Sequence, residues 1–150
     1  MSNIIAVTGA TGQFGSIAIN LLKAKGANVV ALARSPEKVL GVEARKFYYS
    51  QPNVEALQGV DTLILVSGSE IGQREVQHKN VINVAKAAGV KRIVYTSLLG
   101  ATNENTVKGL AGEHVATENA LKASGLIYTV LRNGWYTENY TASVQPAIQN

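Results

Sequence analysis

The apolar run Ile4–Val7 breaks at Thr8 into Gly9-Ala10-Thr11-Gly12-Gln13-Phe14-Gly15, and a helical run follows at once. Three glycines at GxxGxxG spacing between a strand and a helix leave few folds open. Gly9 lets the chain turn sharply off the strand. Gly12 removes a Cβ where the backbone must approach a ligand, and Gly15 is expected to let the helix pack tightly on the sheet. The helix start then offers unpaired N–H groups and a partial positive charge, which suit a phosphate. In this strand–loop–helix setting the triplet predicts a dinucleotide-binding loop.

The rest of the chain agrees with such a fold. Strands are predicted at Ile4–Val7, Val29–Ala33, Glu43–Tyr49, Thr62–Val66, Arg92–Thr96 and Ile127–Leu131, and helices at Gln13–Lys25, Gln73–Ala88 and Leu110–Ala123. In the first helix Ile17, Ile19, Leu21 and Leu22 are available to the core. A helix, a glycine and a strand recur in that order at Gly26, Gly89 and Gly125, where a helix end favours positive φ. Ser35-Pro36 reads as an N-cap followed by proline at the first helical position. Most strands are rich in Val, Ile and Leu on both sides, so helices must cover both faces of a parallel sheet. Two βαβαβ halves predict an α/β, Rossmann-type doubly wound sheet with six strands in the order 3-2-1-4-5-6. No linker divides residues 1–150, so a single domain is expected.

Composition removes several functions. There is no cysteine, which excludes disulfides, thiolate metal sites and cysteine nucleophiles, and no metal site is expected. The net charge of +4 reflects few acids, Asp61 being the only aspartate. Lys and Arg are dispersed, with no basic stripe to follow a phosphate backbone, so nucleic acid is not an expected partner. No apolar run approaches the roughly 18 residues that a membrane span requires. Met1-Ser2-Asn3 lacks the basic flank of a signal peptide, and a cytoplasmic location is expected.

The end of the second strand reads Ala33-Arg34-Ser35-Pro36. An Asp or Glu there would hold a ribose 2′-hydroxyl and repel a 2′-phosphate, whereas an arginine pairs with the phosphate. Arg34 therefore favours NADP(H), with Ser35 and Lys38 within reach of the same group.

Val7–Gly15, Ala33–Pro36, Leu65-Val66-Ser67-Gly68-Ser69-Glu70, Tyr95-Thr96-Ser97-Leu98-Leu99 and Leu131-Arg132-Asn133-Gly134-Trp135-Tyr136-Thr137-Glu138-Asn139-Tyr140 together resemble the NmrA-like branch of the atypical short-chain dehydrogenases. The bacterial NAD(P)H:quinone oxidoreductases are the nearest in look. The resemblance implies that Gly9, Ala10, Thr11, Gly12, Gln13 and Phe14 wrap the pyrophosphate and that Arg34 binds the 2′-phosphate. Ser67, Gly68 and Ser69 would line the cofactor across the switch point. Asn133, Gly134, Trp135, Tyr136, Thr137 and Glu138 would lie near the nicotinamide. The activity implied is hydride transfer from NADPH to a quinone-like acceptor.

The chain also departs from that pattern. Short-chain dehydrogenases carry a Tyr-xxx-Lys pair for proton transfer, but the matching helix reads Glu113-His114-Val115-Ala116-Thr117-Glu118. His114 and Glu118 are i, i+4 neighbours, read either as a proton donor with its orienting acid or as an ordinary surface pair. His114 and Tyr136 are the catalytic candidates. Lys46-Phe47-Tyr48-Tyr49 replaces an acidic patch expected near the adenine, where one tyrosine stacks on the base or serves the core. His78 is expected at the surface. The family's members continue into a substrate-covering lobe, so Trp135, Tyr136 and Tyr140 are expected to form an uncovered apolar patch that favours a homodimer. Two alternatives to the oxidoreductase stay open: a non-catalytic NADP-binding module or redox sensor, and a minimal or engineered Rossmann scaffold without activity.

Overall fold

Six strands, most of them apolar, form one parallel sheet: β1 (Ile4–Val7), β2 (Asn28–Ala33), β3 (Glu43–Lys46), β4 (Thr62–Leu65), β5 (Arg92–Leu98) and β6 (Ile127–Asn133). The strand order is β3-β2-β1-β4-β5-β6, as the alternating pattern predicts. The computed structural model describes residues 3–102, 108–141 and 144. Among the described residues three long helices complete the frame, α1 (Gln13–Ala24), α2 (Arg74–Ala87) and α3 (Lys108–Ser124), and residues 138–141 and 144 after β6 are also helical. No helix among the described residues is long and apolar enough to cross a membrane.

The two faces of the sheet are covered unequally. On one face α2 and α3 bring Val81, Ile82, Ala85 and Leu121 against Ala6, Val30, Leu32, Leu63, Leu65 and Ile93. On the other, α1 sets Ile19 and Leu22 against Val7, Val29, Ala31 and Ala33. Gly15, Ile19 and Leu22 follow i, i+4, i+7 spacing, so one stripe of α1 faces the sheet. Ile17 and Leu21, expected in the core, are instead 52% and 58% exposed. They lie two residues either side of Ile19, which on a 3.6-residue period is the opposite side of the helix.

Register extends this second face beyond α1. Val7 pairs with Ile64, Ile64 with Val94, and Val94 with Thr129, so all four side chains share the α1 face. Ile127 and Leu131 flank Thr129 by two residues and point the same way. Both are exposed, unlike the α1-covered part of this face.

Several boundaries differ from expectation. β3 ends at Lys46 instead of Tyr49; the Phe47 N–H still bonds the Ala33 carbonyl at 2.9 Å, and its ring enters the core. β5 and β6 are longer than predicted, because their pairing continues to Leu98 opposite Asn133. Ser35 stands at the cap position of a short 3-10 turn over Pro36–Lys38 but makes no side-chain capping bond.

Candidate functional site

The loop after β1 is shaped by backbone packed on backbone. Gly9 has φ +59°, a value its lack of a Cβ permits. Its carbonyl accepts the Gly12 N–H at 2.9 Å, while the Ala10 N–H reaches the Leu32 carbonyl at 3.3 Å. A Cβ on Gly15 would overlap the Gly9 carbonyl oxygen and come within 3.2 Å of the Ala10 Cα. The atoms nearest a Gly15 side chain are therefore backbone of the loop that folds back onto its own helix, whereas the sequence suggests close packing on the sheet. A Cβ on Gly12 would meet only the Gly9 oxygen, at 3.2 Å. Gly12 caps α1 without a side chain, and the first turn holds no acid. The first-turn donors thus remain for an anion.

This loop forms one wall of a cleft of about 260 Å³ at the carboxyl ends of β1, β2 and β4. Of the residues predicted for a cofactor, Gly9, Thr11, Gly12, Gln13, Phe14, Gly15, Arg34, Ser67, Gly68 and Ser69 line it. Ala10 is buried behind the loop and does not. Arg34 is exposed at the rim with no ion-pair partner among the described residues, and Lys38 does not line the cleft. Tyr48, Tyr49, Ser50, Glu70 and Gln77 also line it, although sequence reasoning gave them no firm role.

A second, more open hollow of about 380 Å³ is lined by Asn133, Gly134, Trp135, Tyr136, Thr137, Glu138 and Phe14. Phe14 belongs to both cavities. Its ring stacks on Tyr136 with centroids 6.4 Å apart and planes inclined by 15°. The Asn133 amide donates to the Tyr136 hydroxyl at 2.9 Å, which leaves the tyrosine's own proton for another acceptor.

The two tyrosines after β3 divide their roles. Tyr48 is exposed on the cleft wall, with the Lys46 ammonium 5.7 Å from its ring centre. Tyr49 turns inward: its hydroxyl donates to the Val66 carbonyl and lies 2.8 Å from Thr8 Oγ1. Thr8 Oγ1 in turn accepts the Val66 N–H at 2.9 Å. Burial pushes the Tyr49 hydroxyl up to about 12, so it stays protonated and holds the ends of β1 and β4 together.

The loop after β4 is tethered from three sides. The Ser67 N–H donates to Thr96 Oγ1 at 2.8 Å, and the Gly68 N–H to His78 Nε2 at 3.0 Å. Arg74 Nε donates to the Gly68 carbonyl, and the Gln77 amide to the Glu70 carboxylate at 2.8 Å. The Ser67 and Gly68 amides therefore face the protein, while Ser67, Gly68, Ser69 and Glu70 line the cleft. His78, expected at the surface, is 0% exposed. The signal was present: His78, Val81, Ile82 and Ala85 share the i, i+3, i+4, i+7 stripe that α2 buries. Burial, and then the neighbouring His114 and Arg74, lower its pKa to about 4.

His114 and Glu118 form neither a surface pair nor a pair with each other. Both are buried, at 5% and 3% exposure. His114 Nδ1 lies 2.6 Å from the Tyr95 hydroxyl, and burial depresses its pKa. Glu118 accepts from Ser97 Oγ at 2.7 Å and from Arg132 at 2.7 and 3.1 Å. Arg132 holds its carboxyl below the usual range. α3 packs these groups against β5 and β6, which is why the helix cannot present them to solvent. His114 lines neither cavity, so of the two catalytic candidates only Tyr136 reaches one. No group of three metal-binding side chains occurs among the described residues.

Cradle, switch-point cleft and strand order together define a Rossmann-type, nucleotide-binding class of domain. The chain belongs to the NAD(P)H-binding family, whose model matches residues 9–149. It is 49% identical to quinone oxidoreductase 2 of Escherichia coli over 98% of this chain and 54% of that protein. It is 34% identical to an NmrA-like family domain-containing oxidoreductase of Aspergillus flavus over 89% of this chain and 48% of the relative. Among solved structures it matches the E. coli NADPH-dependent quinone oxidoreductase complexed with NADPH, with a TM-score of 0.88 and 49% identity over 97% of this chain and 54% of that one. The Citrobacter triphenylmethane reductase complexed with NADP(H) gives 0.84 and 39%, over 93% and 52%. The chain spans about half the length of these relatives.

Proposed function

We propose that this chain binds NADP(H) in the cleft and directs hydride from the nicotinamide to a quinone-like small molecule in the adjoining hollow. The observation that carries this reading is the pair of cavities joined at Phe14. One is walled by a glycine cradle, the other by Asn133–Glu138. The cleft fits the cofactor's chemistry: Gly15 and Gly12 let backbone replace side chains beside the helix start, and no acid stands in that first turn. The cradle would hold the pyrophosphate, Arg34 the 2′-phosphate, and Ser67–Ser69 the opposite wall. Tyr48, propped by Lys46, offers an aromatic face where the family's acid would stand.

When bound, NADPH supplies the hydride, and the protein's task is to orient it against the acceptor. Tyr136 stands beside Phe14 with its oxygen held by Asn133, placed to give the proton that completes the hydroquinone. Because a quinone's ring spreads the developing charge, a Tyr136→Phe variant should slow turnover only severalfold, about three- to tenfold. Steady-state oxidation of NADPH by a small benzoquinone tests the whole proposal. NADPH that binds but is not oxidised would leave a binding module or redox sensor. That second reading draws support from α3, which offers no exposed acid–base pair: His114 and Glu118 are both buried.

For the 2′-phosphate, an Arg34→Ala variant should weaken NADP⁺ by about ten- to a hundredfold and leave NAD⁺ nearly unchanged. Calorimetry with both nucleotides measures it, and equal losses would remove Arg34 from the phosphate site.

A further inference from the structure

We infer that His78 is a positioning residue for the cofactor cleft: its ring, with Arg74, clamps the Gly68 peptide and fixes the shape of the loop that forms the wall opposite the glycine cradle. The inference rests on reading the cleft as a dinucleotide site.

The clamp is built from both ends of one residue. The Gly68 N–H needs an acceptor, so His78 Nε2 carries no proton. The ring's proton is therefore on Nδ1, which donates to Thr117 Oγ1 at 2.9 Å. The Thr117 hydroxyl passes its own proton to the Glu113 carbonyl at 2.9 Å. That chain of bonds runs from α3 through α2 to the loop and fixes one neutral tautomer. Arg74 holds the other side of the residue through the Gly68 carbonyl. Its guanidinium is fixed in turn by Glu113, whose carboxylate accepts from Nη1 at 2.7 Å and from the Arg74 N–H at 3.1 Å.

Gly68 is where such a clamp has most effect. Without a side chain its peptide rotates easily, and rotation there would swing Ser67 and Ser69, which line the cleft, in opposite senses. His78, Arg74 and Gln77 are all buried and lie at i, i+3 and i+4 on α2, so one rigid helix face carries every tether that α2 supplies. The hydrogen-bonding edges of His78 are fully used inside the protein, so it has no proton to give a substrate. Its contribution is geometric.

The test is NADPH titration of the wild type, His78→Leu and His78→Gln, with the ligand-free unfolding temperature recorded for each. Leucine keeps the volume and removes the acceptor; the glutamine side-chain oxygen can take the Gly68 N–H. The expected result is NADPH binding weakened about tenfold or more in the leucine variant and recovered to within about threefold in the glutamine variant. That pattern should hold at matched fraction folded. Wild-type binding with an unaffected leucine variant overturns the clamp and leaves the cofactor reading intact. A wild type that fails to bind NADPH overturns the cofactor reading and takes the clamp with it. If the leucine variant does not fold, nitrogen-15 spectra of the wild type decide. Unprotonated Nε2, protonated Nδ1 and a Gly68 amide protected from exchange support the clamp, and an Nε2–H tautomer overturns it.

Discussion

Gly12 and Gly15 both sit in the cradle, yet they guard different things. A methyl at Gly15 collides with backbone that has no rotamer to yield, whereas one at Gly12 meets a single carbonyl at 3.2 Å and otherwise open space. Gly15→Ala should therefore displace the loop, cost about 1–3 kcal/mol in urea unfolding, and weaken NADPH binding by at least about tenfold. Gly12→Ala should cost less stability than Gly15→Ala, under about 1 kcal/mol, and act mainly on binding. Equal stability losses in the two variants would contradict this distinction. The motif was legible in the sequence, but its reason was not: spacing shows that Gly15 is needed, while only the fold shows which carbonyl it must avoid. The reverse holds for Arg34. Its charge and place at a strand end were readable, because rim positions are set by local order and not by packing. His114 and Glu118 failed as a pair because i, i+4 spacing gives neighbours on a helix without saying which way the helix faces. Their partners, Tyr95 and Arg132, lie on other strands.

The elements divide the labour. Loops after β1, β2, β4 and β6 present the groups a ligand would meet, and α2, braced by α3, holds the loop after β4 from behind. Apolar runs announced five of the strands, and a weaker run with a charged start announced β3, yet their lengths depended on neighbours. β5 and β6 lengthen each other by pairing as far as Leu98 and Asn133, and β3 stops once Phe47 turns into the core. No run within one strand carries that information. The buried face of α2 also gives the protein an acid sensitivity. His78 titrates near 6.5 when unfolded and near 4 when folded. Above pH 6.5 both states are neutral and stability is full. As pH falls towards 4 the unfolded chain binds a proton that the folded one refuses, and stability on the order of 3 kcal/mol is lost. His114 is shifted in the same direction. Urea midpoints at pH 7 and pH 4.5 should show the loss in the wild type and a shallower dependence in His78→Gln. Identical pH dependence in the two proteins would show that His78 is not the group responsible.

At the scale of the molecule, the uneven covering of the sheet stands out. β4, β5 and β6 carry the second face beyond α1, with Ile64, Val94 and Thr129 aligned there by register. Ile127 and Leu131 leave an exposed apolar strip along β6, and Trp135, which lines the second hollow beyond its end, and Tyr140 are exposed too. The expected outcome is self-association through this strip, seen as a concentration-dependent sedimentation coefficient that Leu131→Glu abolishes. A monomer at all concentrations would discard the homodimer. None of this bears on whether the cleft holds a dinucleotide, which is the central claim. Calorimetric titration of the wild-type chain with NADPH, set beside NADH, tests it most directly. One site per chain is expected, with NADPH bound about tenfold or more tightly than NADH. No heat of binding at millimolar NADPH, or equal affinity for the two nucleotides, would contradict it.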